Sequence, residues 1–174
     1  SSAASDVYKR QGEMGIGKTR LISEWMAQLP PHVYRIEGRS REFESIIPYA
    51  PLTHAFQKVD GTLWALFEPT PPWLASLLPV VPGLVEQFPS LSVPAATQCQ
   101  TIQGLCQFFL TLARHRPVVL VIDNLHWADS GTWSFLSYMA QQVGRAQILI
   151  IGSARVGDMS EDAQRLMRRM AQDP

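Results

Sequence analysis

Residues 12–19 read Gly12-Glu13-Met14-Gly15-Ile16-Gly17-Lys18-Thr19, which fits the spacing G-x-x-x-x-G-K-[ST] at every position. Directly after it Leu21, Ile22, Trp25, Met26 and Leu29 recur at helical spacing until Pro30-Pro31 stops the segment. A glycine-rich turn that opens into a helix lets several backbone N–H groups point at one anion, and the helix N-terminus adds positive potential. The pattern therefore predicts a phosphate cradle, with Lys18 reaching β- and γ-phosphates and the Thr19 hydroxyl on Mg²⁺. The plainer alternative is a glycine-rich turn that only caps a helix.

A second feature, far away in the chain, points the same way. Residues 118–122 (VVLVI) form a continuous β-branched run that ends in Asp123, the pattern of a strand buried on both faces of a parallel sheet. A carboxylate at the end of such a strand is where a phosphate loop finds its Mg²⁺ partner, although Asp also simply begins turns. Residues 148–151 (ILII) read as another doubly buried strand, and residues 33–37 alternate before Gly38 and suit an outer one.

Helical stripes fall at Ile102, Leu105, Cys106, Phe109, Leu110 and Ala113, and again at Trp133, Leu136, Ala140 and Val143, with Asp129 or Ser130 as N-cap. A last helix starts at Ser160 and turns Ala163, Leu166, Met167 and Met170 inward. Strands alternating with helices predict an α/β fold, a parallel sheet sandwiched by helices. Residues 44–98 are rich in proline and aromatics and read as a helical insertion of short pieces, because Trp64, Phe67, Trp73, Leu74 and Leu77 need burial.

Composition narrows the function classes. With 174 residues, 46% hydrophobic and 17% charged, the chain is too apolar for disorder and long enough for one buried core. Fifteen basic against fifteen acidic residues leave no net field to hold nucleic acid or an anionic membrane. Apolar runs of about five residues are too short to span a bilayer, so a cytoplasmic protein is expected. Cys99 and Cys106 sit seven apart on one predicted helix, about 10 Å along its axis, too far to bridge, and both read as buried thiols.

Taken together, GEMGIGKTRL, the stretch Pro48-Tyr49-Ala50-Pro51-Leu52, VVLVIDNLHWAD and ILIIGSAR resemble the AAA-type P-loop NTPase domain of the STAND class, with origin-recognition-like AAA relatives. Such domains occur in large bacterial regulators of the LuxR and antibiotic-regulatory-protein types. The similarity runs from residue 12 to the end. It implies that residues 12–19 hold ATP, that Asp123 holds Mg²⁺ through water, and that Arg155 reads the γ-phosphate with Ser153 as an auxiliary group. His126, Trp127, Ala128 and Asp129 match the family's HWAD stretch, where Asp129 reads equally well as a helix cap. The function implied is a nucleotide switch in a signalling or transcriptional regulator. Its effector or DNA-binding domain would lie elsewhere in the full-length protein, and its self-association would depend on nucleotide. The alternatives are an actively hydrolysing, DNA-associated AAA enzyme and a degenerate scaffold that binds nothing.

Two departures from the family pattern shape the expectations. The residue after Asp123 is usually acidic in hydrolysing relatives, but Asn124 has no carboxylate to take a proton from water, so ATPase activity should be slow or absent. A buried strand should precede Gly12, yet residues 1–11 (SSAASDVYKRQ) offer only Val7 and Tyr8. Residues 6–11 resemble a translated sequencing-library adapter, so 1–11 read as a non-native leader to a partial domain at 12–174. That reading gives a damaged first strand and a missing C-terminal lid.

Overall fold

The computed structural model describes residues 17–91, 96–144 and 146–170. The expectations for the leader, the first strand and loop positions Gly12, Glu13, Met14, Gly15 and Ile16 lie outside them.

Helix α1 (Lys18–Gln28) is followed by strand β1 (Tyr34–Arg39), then by helix α2 (Ala50–Gln57) and the short helix α3 (Leu84–Gln87). Helix α4 (Gln98–His115), strand β2 (Val118–Asp123), helix α5 (Ser130–Gln142), strand β3 (Ile148–Gly152) and helix α6 (Glu161–Met170) complete the order. The three strands are parallel in the order β1-β2-β3, with Arg39 beside Asp123 and Ile122 beside Gly152 at their C-terminal ends. Parallel strands need long crossovers, and the helices supply them while covering the faces.

The unbroken apolar text of β2 follows from that covering. Val118, Leu120 and Ile122 join the main core with α4 and α5, whereas Val119 and Val121 pack against Met26, with Ile22 and Trp25 of α1 and Leu29 at its C-cap. All six residues of β2 are buried.

The prolines of residues 44–98 cut this stretch into α2, α3 and 3-10 turns at Gly61–Phe67 and Pro72–Leu77. Its aromatics clamp it to α4: Phe67 stacks on Phe108 at 5.2 Å between centroids, and Phe56 meets the same ring edge-on at 4.9 Å. Helix α2 lies close on β1. A Cβ at Gly38 would collide with the Pro51 carbonyl, so this crossing requires glycine.

Three expectations need correction. Among the described residues strand β3 is not buried on both faces: Ile148 is buried, Leu149 is 37% exposed, β2 is the strand that pairs with it there, and the second core cluster reaches it only at Ile151. Cys99 is exposed, since it sits in the first turn of α4, while Cys106, seven residues on, lies beside Leu105 on the buried face of the helix. Strand β1 also runs through Gly38 to Arg39 instead of ending at Gly38. No helix among the described residues is long and apolar enough to cross a membrane.

Candidate functional site

The site forms where the C-terminal ends of β1, β2 and β3 meet the N-terminus of α1. Gly17, the N-cap of α1, has φ 77°, a left-handed conformation that glycine adopts without a side-chain penalty. Lys18 begins the helix and Thr19 follows it.

The Thr19 hydroxyl donates to Asp123 Oδ2 at 3.2 Å and more weakly to Oδ1 at 3.4 Å. These two residues are 104 positions apart, and the fold brings them together. Asp123 is 3% exposed and collects several donors. Ser153, at the end of β3, donates its hydroxyl to Oδ1. The Asn124 backbone N–H is shared between Oδ1 and Ser153 Oγ, each at 3.1 Å. Arg39 Nη2 lies 3.2 Å from Oδ2. The backbone reinforces this junction, because Ser40 N–H donates to the Asp123 carbonyl at 2.9 Å and Leu125 N–H to the Ser153 carbonyl at 2.7 Å.

Asn124 is left-handed, with φ 58° and ψ 44°. Asn is among the few non-glycine residues that adopt this region readily, so the turn after β2 supplies a conformational reason for the amide beside the chemical one.

Arg155 follows β3 and is approached by other groups. Its backbone N–H donates to His126 Nδ1 at 3.3 Å, and its guanidinium lies 3.9 Å from Asp158. Accepting at Nδ1 places the proton of the neutral imidazole on Nε2. That Nε2 is buried without a hydrogen-bond partner among the described residues. Burial, and then the Arg155 charge, hold the His126 pKa below its ordinary value; Asp158 and Asp123 oppose this, and Lys18 adds to it. His126 is therefore within the electrostatic reach of both Asp123 and Lys18.

Asp129 is a cap. Its carboxylate accepts from Thr132 N–H at 3.0 Å and from the Thr132 hydroxyl at 2.5 Å, closing the first turn of α5. Ser130 is the first helical residue instead of the N-cap.

Arg39 is the site residue that the sequence reading passes over. It stands one position beyond the glycine taken as the strand's end, and only the β1–β2 register shows that it faces Asp123. The available signal was a cation at the C-terminal end of a parallel strand, where ligand-facing groups of such sheets collect.

The donor set suits a hard divalent cation. A carboxylate and a hydroxyl oxygen meet at hydrogen-bond distance, and Mg²⁺ is commonly held by one or two carboxylates plus phosphate oxygens. Among the described residues no group of three His, Cys, Asp or Glu side chains forms an all-protein metal cage.

The AAA ATPase domain family matches residues 11–151, which covers both Gly12 and Asp123. No curated protein and no solved structure matches the chain.

Proposed function

The chain belongs to the AAA ATPase domain family, and on that premise we propose that it is an ATP-dependent switch module of a larger signalling or transcriptional regulator of the STAND class. The observation that carries the reading is the meeting of Thr19 and Asp123 at 3.2 Å beside the N-terminus of α1. In this reading the loop at 12–19 wraps the triphosphate with backbone N–H groups, and Lys18 neutralises the β- and γ-phosphates. Thr19 and Asp123 hold Mg²⁺, which when bound neutralises phosphate charge and fixes the phosphate oxygens.

The chain's own groups favour holding the nucleotide over breaking it. Asn124 presents an amide where a carboxylate would accept a proton from water, so hydrolysis is slow or absent. Arg155 senses the γ-phosphate, and its backbone contact to His126 ties the end of β3 to the turn after β2. A switch needs only different affinity for its two states, which such a site provides without turnover. The output lies with an effector or DNA-binding domain of the full-length, cytoplasmic protein and with nucleotide-dependent self-association.

Titration of ATP and adenosine against the wild-type chain and Lys18→Ala tests the reading. The expected outcome is a loss of ATP affinity of about tenfold or more with adenosine unchanged, since charge-assisted contacts to phosphate are the strong ones. Equal ATP affinity in both proteins would refute it.

A further inference from the structure

Asp123 is crowded at both carboxylate oxygens. A carboxylate offers about four acceptor sites. Oδ1 receives the Ser153 hydroxyl and the Asn124 N–H, Oδ2 receives the Thr19 hydroxyl, and the Arg39 guanidinium forms an ion pair with Oδ2 at 3.2 Å. The reading of Asp123 as an Mg²⁺ partner, on which this inference rests, requires room at one oxygen for a metal-bound water. One of these groups must therefore give way.

The three donors and the guanidinium are not equally free to do so. The Asn124 N–H is backbone, fixed by the turn between β2 and Leu125. Ser153 is pinned by its own N–H to the Ile122 carbonyl and by its carbonyl to Leu125 N–H. Thr19 is itself the metal's hydroxyl partner. Arg39 alone is a long side chain with its outer part in water, 51% exposed against 5% for the carboxylate it touches.

We propose that Arg39 is a displaceable plug: its guanidinium neutralises Asp123 in the nucleotide-free protein and competes with the hydrated divalent cation, which would reach the carboxylate through a bound water. The exchange swaps cation for cation on a buried carboxylate, so Asp123 is never left buried and unpaired, a state that is strongly unfavourable. Arg39 is thus a positioning residue that sets how strongly Mg²⁺ and ATP reinforce each other, and it contributes little to ATP binding in the absence of metal.

The test is the ratio of the ATP dissociation constant in EDTA to that in Mg²⁺, measured by calorimetry on the whole chain. This ratio is the coupling between the two ligands and is the same read from either side. Arg39→Gln should raise the ratio by about threefold to fivefold, the worth of an ion pair whose arginine is half in water. Arg39→Lys should lie between it and wild type, and the neighbouring exposed Arg41→Gln should leave the ratio unchanged. An unchanged ratio in Arg39→Gln would make Arg39 a bystander, and a reduced ratio would make it a ligand of the bound nucleotide; either result overturns the proposal.

A second measurement needs no variant in the site. In ¹⁵N-arginine-labelled wild-type protein, the Arg39 guanidinium signal should shift on addition of ATP with Mg²⁺ and stay in place with ATP in EDTA. A signal that moves equally in both also overturns the plug. ATP binding in EDTA that is intact and lost in Lys18→Ala keeps the switch reading standing whichever way the ratio falls. Absence of ATP binding in every condition removes both.

Discussion

Asp129→Ala separates a structural aspartate from a functional one. The carboxylate is 5% exposed and holds two donors of Thr132, a fully buried residue. Loss of an N-cap typically costs about 1 kcal/mol, within a range of about 0.5–2. The Thr132 hydroxyl, left buried without its acceptor, adds about 1–3 kcal/mol. The sum is about 2–4 kcal/mol, and for a chain of this size about 2–4 °C per kcal/mol gives a fall in Tm of roughly 4–16 °C. Asp129→Ser, which keeps a capping oxygen, should recover about half of that loss. Combining Asp129→Ala with Thr132→Val should cost clearly less than the two single changes added, because the valine removes the stranded hydroxyl. Differential scanning calorimetry gives these numbers, and ATP affinity measured well below the transition should match wild type. A fall in Tm under about 2 °C, or a folded variant that no longer binds ATP, would refute the assignment of Asp129 as a cap.

Asn124→Asp should raise ATP turnover severalfold in a phosphate-release assay with little change in ATP affinity; it is a better test than Asn124→Glu, because Asp tolerates the left-handed backbone at 124 with less strain. Burial pushes the Cys106 thiol up to about 12, so the unfolded chain ionises first: stability is full below about pH 9 and falls as pH rises toward 12. Urea melts between pH 8 and 11 should show this decline, and it should flatten in Cys106→Ala. Over the same range a thiol reagent should label exposed Cys99 at once and Cys106 only on unfolding.

What the sequence by itself determined was whatever depends on local spacing. Gly17-Lys18-Thr19 opening into α1, the break at Pro30, the doubly buried β2 ending in Asp123, and the stripes of α4 and α5 follow from periodicity, capping residues and helix-breaking prolines. These act over one or two turns of chain. The segmented helical character of residues 44–98 was legible for the same reason, as prolines cannot sit inside regular elements. Tertiary structure decided the rest, because its causes are distant in sequence. The parallel register put Arg39 against Asp123, and α2 crossing β1 required Gly38. Among the described residues β3 pairs with β2 alone, and Leu149 is partly in water although its text reads like that of β2. The direction of one carboxylate made Asp129 a cap for Thr132, and the turn after β2 gave Asn124 its left-handed backbone. Apolar text reports that a strand can be buried; only the neighbouring elements determine on which face, and beside which charge, it ends.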